Sequence, residues 1–192
     1  QPMIKYGKVI IFNGEIYNFK ELRDKLISYG YKFKSLSDTE VLIAGWDKWG
    51  EALLNHIDGM YAFAIWDFKL KKLFLVRDPY GKKPLLYSVQ KNTIAFASDL
   101  KSLRKIIDCG DINPLAVESL FKLRFIHDPL TIYKNSFKLP PGHLLKFDIN
   151  GKKMEKWYRL PNPKILLSNK KDVLKNLRSL FDKAVERRLI SD

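Results

Sequence analysis

The sequence predicts an α+β fold in which an antiparallel sheet is flanked by helices. Four short runs of aliphatic and aromatic residues follow one another with brief polar connections, at residues 60–67, 73–77, 85–89 and 93–98. Such connections between successive strands are typical of an antiparallel meander. The run from Tyr61 to Trp66 is apolar on both faces, which predicts a sheet covered on both sides. Helical patterns lie before and after these strands.

The segment before the sheet is predicted to begin with a strand and a helix. Residues 8–12 (KVIIF) form a continuous apolar run typical of a buried strand, and Asn13-Gly14 is predicted to end it. A helix is expected to start at the capping residue Asn18 and to end before Gly30.

A second helix is predicted from a stronger start signal. Residues 31–34 alternate and indicate a short strand, and residues 37–40 (SDTE) then form a capping box. The helix should run to Trp49 and stop at Gly50, with a short helical piece at 51–56 after it.

The part that follows the sheet is predicted to contain two helices and a hairpin. Residues 99–107 have helical spacing, and Asn113-Pro114 is a strong start for a helix that reaches about residue 122. Residues 127–138 are irregular, and the runs 143–149 and 152–158 flank Asn150-Gly151, a typical hairpin turn.

A domain boundary is predicted at residues 161–163, because Pro-Asn-Pro is a stiff, extended linker. Residues 172–189 then form an amphipathic helix that has no apolar partner left in the sequence. The chain is therefore divided into residues 1–160, one domain, and residues 161–192, a linker and the first helix of a second domain.

Composition excludes several classes of protein. The chain has 192 residues, of which 46% are hydrophobic, and it contains no apolar stretch long enough to cross a membrane. The net charge is +14, from 35 basic minus 21 acidic residues, but the lysines are spread over separate segments without a stripe of stacking aromatics. Nucleic acid is therefore not expected as a partner, and neither is a membrane.

Cysteine and histidine give no catalytic or metal-binding pattern. Cys109 is alone, which favours a cytoplasmic protein without disulfides. His56, His127 and His143 do not combine with an acid or a nucleophile in the sequence, so each is interpreted as a surface or loop residue. Cys109 itself is expected to be an inert core or turn residue.

Asn13-Gly14 after a strand has two interpretations. A glycine at a strand exit can expose a backbone N–H, and the asparagine amide adds a second donor, so the pair suits an oxyanion hole for acyl transfer. Asn-Gly is also common in ordinary turns, and the spacing alone favours that second interpretation.

Asp38, in the first turn of the predicted second helix, also has two interpretations. It can simply favour the helix dipole, which is the usual role of an acidic residue there, or it can pair with the ammonium group of a substrate.

Six blocks taken together resemble a known family. They occur in order as IFNGEIYNFKELR (11–23), SDTEVLIAGWDKWG (37–50), IDGMYAFAIWD (57–67), LFLVRDPYGKKPLLY (73–87), IAFASDLKSL (94–103) and KLPPGHLL (138–145). This combination is similar to the N-terminal glutaminase domain of glutamine-hydrolysing asparagine synthetases, which are class II glutamine amidotransferases. The resemblance covers nearly all of residues 1–160, and the end of the last helix, VERRLISD, resembles the element before the family's nucleotide-binding loop.

The resemblance implies a fold and a reaction. The fold is a four-layer α/β/β/α sandwich of antiparallel sheets of the N-terminal-nucleophile hydrolase type, here truncated at its N-terminal edge. The nucleophile is an N-terminal cysteine whose α-amine acts as base, and its thiolate attacks the carboxamide of glutamine. Ammonia then passes to a synthetase domain, where ATP and Mg²⁺ activate the acceptor carboxylate.

The resemblance also assigns roles to single residues. Asn13, through its side chain, and Gly14, through its backbone N–H, would form the oxyanion hole. Glu15 would line the glutamine site, and Asp38 would bind the α-ammonium group of glutamine. No cofactor and no metal is expected within these 192 residues. The block that begins at Arg77 (RDPYG) is interpreted as architecture, a turn between paired strands.

The sequence departs from the family at both ends. The nucleophilic cysteine and an arginine for the substrate carboxylate are expected upstream of residue 1, and the nucleotide-binding loop after residue 192. The ends are therefore interpreted as cuts, and the 192 residues alone are expected to be inactive. Exposed sheet edges would then require upstream residues, a partner or a homodimer.

Two functions besides asparagine synthesis stay open at this point. A related amidotransferase could use another carboxylate acceptor, as in sugar or cell-surface biosynthesis, because acceptor choice belongs to the synthetase domain. A degenerate domain could keep the fold without catalysis. A cysteine directly after the initiator methionine would support catalysis, and any other residue there would support the degenerate domain.

Overall fold

Two antiparallel sheets stacked face to face form the centre of the structure, a computed structural model that describes residues 1–162 and 169–189. The larger sheet has the strand order β1-β2-β3-β4-β8-β9, and the smaller sheet has the order β6-β5-β7. The elements are, in chain order, β1 (Met3–Lys5), β2 (Lys8–Ile16), α1 (Phe19–Ser28), α2 (Asp38–Trp49), a 3-10 helix (Gly50–Asn55), β3 (Gly59–Asp67), β4 (Lys72–Arg77), β5 (Leu86–Gln90), β6 (Thr93–Ala97), α3 (Leu100–Ile106), α4 (Pro114–Leu123), β7 (Phe137–Lys138), β8 (His143–Asp148), β9 (Gly151–Lys156) and α5 (Lys170–Arg188).

Three apolar clusters hold the layers together. The first lies between the large sheet and the helices α1 and α2, and includes Leu26, Leu42 and Ile65, all fully buried. The second lies between the sheets, and the third packs Leu103 of α3 against the outer face of the small sheet. Each such side chain stabilises the fold by roughly 1.5–3 kcal/mol. The expected four-layer α/β/β/α sandwich is therefore confirmed.

The predicted meander of four strands is wrong in one respect. β3 and β4 pair in the large sheet, whereas β5 and β6 pair in the small one. A continuous apolar run shows that a strand is buried on both faces, but the same pattern results whether a helix or a second sheet covers the strand. The predicted coverage of β3 on both sides is confirmed, with helices on one face and the small sheet on the other.

The RDPYG block is architectural, as expected, but it connects the two sheets and is not a turn between paired strands. Asp78 is fully buried and accepts hydrogen bonds from the backbone N–H groups of Tyr80 (2.9 Å), Lys82 (3.0 Å) and Lys83 (3.0 Å). The Arg77 guanidinium donates to the carbonyl oxygen of Leu139 at 2.6 Å. These bonds satisfy the buried polar groups of the crossover.

The prediction that Asn13-Gly14 ends the first strand is wrong. β2 continues to Ile16, and Gly14 lies directly opposite Tyr61 of β3. A Cβ atom at Gly14 would lie 2.2 Å from the carbonyl oxygen of Met60, so the close approach of two strands requires glycine here. Gly14 therefore marks a close approach of β2 and β3 and not the end of β2.

The helix boundaries are confirmed more closely than the capping bonds. α2 begins after Ser37 and ends at Gly50, which has φ +55°, yet the Ser37 side chain makes no capping bond. The Asn18 side chain likewise makes no capping bond, and it donates to the carbonyl oxygen of His56 at 2.8 Å. Residues 31–34, predicted as a strand, lie in an irregular segment.

The second half of the chain follows the prediction closely. The Asn113 side chain accepts a hydrogen bond from the Leu115 N–H and caps α4. β8 and β9 form the predicted hairpin around Asn150. The short strand β7 lies inside the segment 127–138 that was expected to be irregular.

The C-terminal helix α5 begins two residues before the predicted position, and none of its side chains is buried. Its Arg187 guanidinium lies 2.9 Å from Asp58 Oδ2. The predicted linker extends into residues 163–168, which lie outside the described residues, as do residues 190–192. Among the helices of the described part, none combines the length and the apolar character that crossing a membrane requires.

Candidate functional site

The candidate site lies along the edge of β2 that faces β1. The short strand β1 pairs with β2 only from Lys8 to Ile10. Beyond that point the edge is contacted by side chains: the Phe12 N–H donates to Gln1 Oε1 at 2.7 Å, and the Ile16 N–H donates to Asp38 Oδ2 at 3.2 Å. Gly14 lies midway between these two residues.

The backbone N–H of Gly14 points to this same edge. The N–H and the C=O of Tyr61, which lies opposite Gly14, are both engaged with Asp78 on the far side of β3. Gly14 and Tyr61 are therefore a non-hydrogen-bonded pair, and in such a pair the N–H and C=O of both residues point away from the partner strand. The alternation of N–H directions along β2 gives the same result, because Phe12 and Ile16 also donate to this edge.

The side chain of Asn13 provides a second donor on the face of β2 that looks toward the small sheet. It lines a cavity of about 200 Å³ together with Ile11, Ala62 and Leu85. Its Nδ2 atom donates to Ser98 Oγ at 3.3 Å, and a side-chain amide has two N–H groups, so one remains for a ligand. Ser98 was not singled out from the sequence, although it directly follows β6 within the block 94–103.

Glu15 lies on the same face of β2 as Asn13, because alternate residues of a strand share a face. Its Oε1 atom is buried and has no hydrogen-bond partner within the part of the chain that the structure describes. A buried carboxylate oxygen without a donor is uncommon in folded proteins. This oxygen therefore suits a hydrogen-bond donor on a ligand.

Asp38 reaches the site from the first turn of α2. The residue is 8% exposed, and its Oδ2 atom accepts the Ile16 N–H at 3.2 Å. Ile16 is two residues beyond Gly14, a distance of about 7 Å along a strand. The structure thus brings together the four residues predicted from the sequence: Asn13, Gly14, Glu15 and Asp38.

Such an edge combines two chemical properties. Two neutral N–H donors on adjacent residues can stabilise a negative oxygen that develops on a carbonyl group. The carboxylate of Asp38, which meets the strand two residues further on, can bind a cationic group of the same ligand. The site therefore fits a molecule that carries an amide or ester carbonyl and an ammonium group.

The cysteine and the histidines lie in other surroundings. Cys109 is 2% exposed and packs with Leu103 in the outer layer beneath α3. His127 Nδ1 lies 2.9 Å from Ser119 Oγ, and His143 Nδ1 lies 2.8 Å from the carbonyl oxygen of Pro141. Each of these contacts is local and none involves the four residues of the site.

The four-layer sandwich is the fold of N-terminal-nucleophile glutamine amidotransferases. A solved neighbour is the glutamine phosphoribosylpyrophosphate amidotransferase from Bacillus subtilis, with a TM-score of 0.58 and 22% identity over 84% of this chain and 32% of that one. The family described as "Glutamine amidotransferase domain" matches residues 1–158. The chain belongs to this family.

Among curated proteins, the chain is similar to asparagine synthetases. It is 35% identical over 185 residues to asparagine synthetase [glutamine-hydrolyzing] 3 of Bacillus subtilis, covering 95% of this chain and 30% of the relative. It is 34% identical to asparagine synthetase [glutamine-hydrolyzing] 1 of the same organism, covering 95% of this chain and 29% of the relative. The chain thus spans less than a third of the length of these two relatives.

Proposed function

We propose that this chain is the glutaminase portion of a glutamine-dependent asparagine synthetase. In this proposal it releases ammonia from glutamine, and a synthetase domain of the longer protein uses the ammonia for ATP-dependent amidation of aspartate. The match to the amidotransferase family and the similarity to asparagine synthetases support the proposal. The observation that carries it is the edge of β2: the Gly14 N–H points to this edge, the Asn13 amide is on the preceding residue, and Asp38 accepts the Ile16 N–H two residues further on.

In this proposal, some residues of the edge bind the substrate and others stabilise the charge that develops during the reaction. Glutamine would lie along β2 with its carboxamide oxygen near Asn13 and Gly14 and its α-ammonium group near Asp38. Glu15 would accept a further hydrogen bond through its buried Oε1 atom. Because donors and acceptors are fixed by the sheet and by α2, they need little reorganisation when charge develops.

The covalent steps use an N-terminal cysteine, as in the class that the fold defines. Its thiolate attacks the carboxamide carbon, and the tetrahedral oxyanion lies against Asn13 and Gly14. The C–N bond breaks, the nitrogen takes a proton from the α-ammonium group of the cysteine, and ammonia leaves. Water then hydrolyses the thioester to glutamate and regenerates the thiol. Cys109 cannot take this part, because it is buried beneath α3.

The proposal assigns ATP and Mg²⁺ to the synthetase domain, and no residue of this chain to either. It places the protein in the cytoplasm, which the single cysteine favours. A homodimer is a further part of the proposal, because β1, β6 and β9 end their sheets and present strand edges. Size-exclusion chromatography with light scattering would check the oligomeric state.

Replacement of Asn13 tests the proposed function in the full-length protein. Asn13→Ala should lower glutamine-dependent turnover by about 10²–10³-fold, the effect of one lost oxyanion donor. Synthesis driven by free ammonia should be unchanged, because it bypasses the glutaminase. Asn92→Ala, in an exposed turn between β5 and β6, is the control. Equal loss of both activities in Asn13→Ala would contradict the proposal.

The acceptor needs a separate test. The same fold occurs in a protein named for phosphoribosylpyrophosphate, so the fold does not fix the acceptor. Aspartate-dependent exchange of pyrophosphate into ATP by the full-length protein would support asparagine synthesis. Exchange with another carboxylate would favour the related amidotransferase, and absence of a cysteine after the initiator methionine would favour a degenerate domain.

A further inference from the structure

Glu40 is the centre of a buried hydrogen-bond cluster at the start of α2. Its side chain is 4% exposed. The carboxylate accepts the backbone N–H groups of Lys34 (3.0 Å) and Ser35 (2.7 Å), the hydroxyl of Ser35 (2.7 Å) and the ammonium group of Lys5 (2.7 Å). Both oxygens are used, so the two backbone groups of an irregular segment are satisfied by one side chain of the helix that follows it.

The same segment is fixed from two other elements. The ammonium group of Lys5, on β1, also donates to the carbonyl oxygen of Lys32 at 2.7 Å. The guanidinium of Arg23, on α1, donates to the carbonyl oxygen of Ser35 at 2.6 Å. Residues 32–35 are therefore bound to β1, α1 and α2 at once, and the cluster sets where α2 begins relative to the large sheet.

The cluster is linked to Asp38 through the backbone of Ser37, the residue before it. Ser35 Oγ donates to Glu40 and accepts the N–H of Ser37, the residue before α2, at 3.3 Å. Asp38 and Glu40 lie in the same first turn of α2, and Asp38 reaches β2 through its bond to the Ile16 N–H. We propose that Glu40 is a positioning residue: it holds the first turn of α2 so that the Asp38 carboxylate meets the ammonium group of the substrate. This inference rests on the proposed function.

The carboxylate form of residue 40 is required for this arrangement. It faces four donors, two from the backbone, one hydroxyl and one ammonium group. A glutamine side chain of the same shape has one acceptor oxygen and presents an NH₂ donor in place of the other. In Glu40→Gln, the new NH₂ group would therefore face N–H or O–H donors at the start of α2, although the side-chain volume is unchanged.

Substrate selectivity is the readout that a merely structural role would not change. The two substrates are glutamine and glutaramate, which is glutamine without its α-amino group. The full-length protein should prefer glutamine in kcat/KM, and Asp38→Asn should lower this preference by about 10- to 100-fold, the value of one charge-assisted bond. Glu40→Gln should lower it by about tenfold, because a small misplacement of a binding group is costly.

Two further variants make the result unambiguous. Glu118→Gln removes an exposed carboxylate whose partner is Lys122 and should leave the preference unchanged. Ser35→Ala removes the link between Glu40 and Ser37 and should lower the preference in the same direction as Glu40→Gln, which covers the case in which Glu40→Gln does not fold.

Each outcome has a distinct meaning. If Glu40→Gln, or Ser35→Ala in its place, slowed both substrates equally, the positioning role would be wrong although the glutaminase was real. If the unaltered protein hydrolysed neither substrate, the proposed function itself would fail.

Discussion

At the scale of single residues, the site depends on a glycine that the sheet requires. Gly14 and Gly59 lie where β2 and β3 approach closely, and a Cβ atom at Gly59 would lie 2.3 Å from the carbonyl oxygen of Glu15. The pairing register directs the Gly14 N–H to the edge of β2 that faces β1, and glycine places no side chain of its own beside it. Gly14 therefore has two roles: it presents its backbone N–H at the edge of β2, and its lack of a side chain lets β2 pair with β3.

Gly14→Ala is expected to destabilise the fold strongly. The new methyl group would collide with the Met60 carbonyl oxygen, and the free energy of unfolding should fall by about 3 kcal/mol or more, as for severe overpacking. Gly30→Ala is the control, because no atom lies within 4 Å of its added Cβ. It should lower the free energy of unfolding only by the cost of a left-handed backbone conformation, about 1–2 kcal/mol. Urea denaturation measures both. Equal losses would show that the close approach is not rigid.

Glu40 is expected to make stability depend on pH in the acidic range. Burial alone would raise the pKa of Glu40, but hydrogen bonds from Lys5, Lys34 and Ser35 outweigh it and lower the pKa from the ordinary 4.5 to about 2. A carboxyl group whose pKa is lower in the folded state stabilises the fold above its unfolded pKa. That stabilisation is lost as the pH falls through the folded pKa.

The difference in free energy of unfolding between the unaltered chain and Glu40→Gln should therefore be constant above about pH 5 and shrink between pH 4.5 and about 2. Urea denaturation series across this range measure it. The same difference for Glu118→Gln, at an exposed position, should stay near zero. If the difference in free energy of unfolding between the unaltered chain and Glu40→Gln did not change with pH, the charge of Glu40 would not contribute to stability.

At the scale of secondary-structure elements, β2 and α2 together build the site. β2 supplies Asn13, Gly14 and Glu15 on three consecutive residues, and α2 supplies Asp38 from its first turn. At the site, the two elements are joined by the hydrogen bond from the Ile16 N–H to Asp38. The N-terminal end of α2 is thus fixed to the strand whose edge forms the candidate site.

The face between the two sheets should be as important for stability as the face beneath the helices. Leu75 of β4 is fully buried there, so Leu75→Ala is expected to lower the free energy of unfolding by about 2–5 kcal/mol. Leu70→Ala, at a position 59% exposed in the turn before β4, should change it by less than about 0.5 kcal/mol. Thermal denaturation compares the two. A small effect of Leu75→Ala would mean that the sheets are loosely packed.

At the scale of the whole molecule, the fold brings together lysines that are far apart in the sequence. Lys5, Lys32, Lys34 and Lys48 come from separate segments, yet they line one cleft of about 610 Å³ with three tyrosines. The sequence pattern showed only scattered pairs of lysines, because the distance between segments depends on the packing of β1, α1 and α2. The positive charge of the chain is therefore less evenly spread than expected.

Removal of residues 161–192 should leave the stability of the rest nearly unchanged. The side chains of α5 are not buried, and its ion pair with Asp58 joins two half-exposed groups, a contact worth about 0–1 kcal/mol. The free energies of unfolding of chains 1–160 and 1–192 should thus agree within about 1 kcal/mol. Urea denaturation monitored by tryptophan fluorescence checks this. A loss of several kcal/mol would show that α5 belongs to the first domain.

The sequence by itself determined the helices, most strand positions and the four residues of the candidate site. These features depend on local patterns: apolar periodicity, capping residues, and blocks of residues that keep their order along the chain. Ser37 and Gly50 mark the ends of α2 because helix ends need particular backbone conformations, whatever surrounds them.

Only the tertiary structure decided the partners of those residues. The four consecutive strands are divided between two sheets, and β2 extends through Gly14. The Glu40 carboxylate, which the sequence predicted to cap α2, instead binds a loop and Lys5. Ser98 reached Asn13 from 85 residues away. The physical reason is common to all of these: sheet pairing and buried hydrogen bonds join segments that are distant in sequence, and no local pattern specifies which distant group will satisfy a buried donor or acceptor.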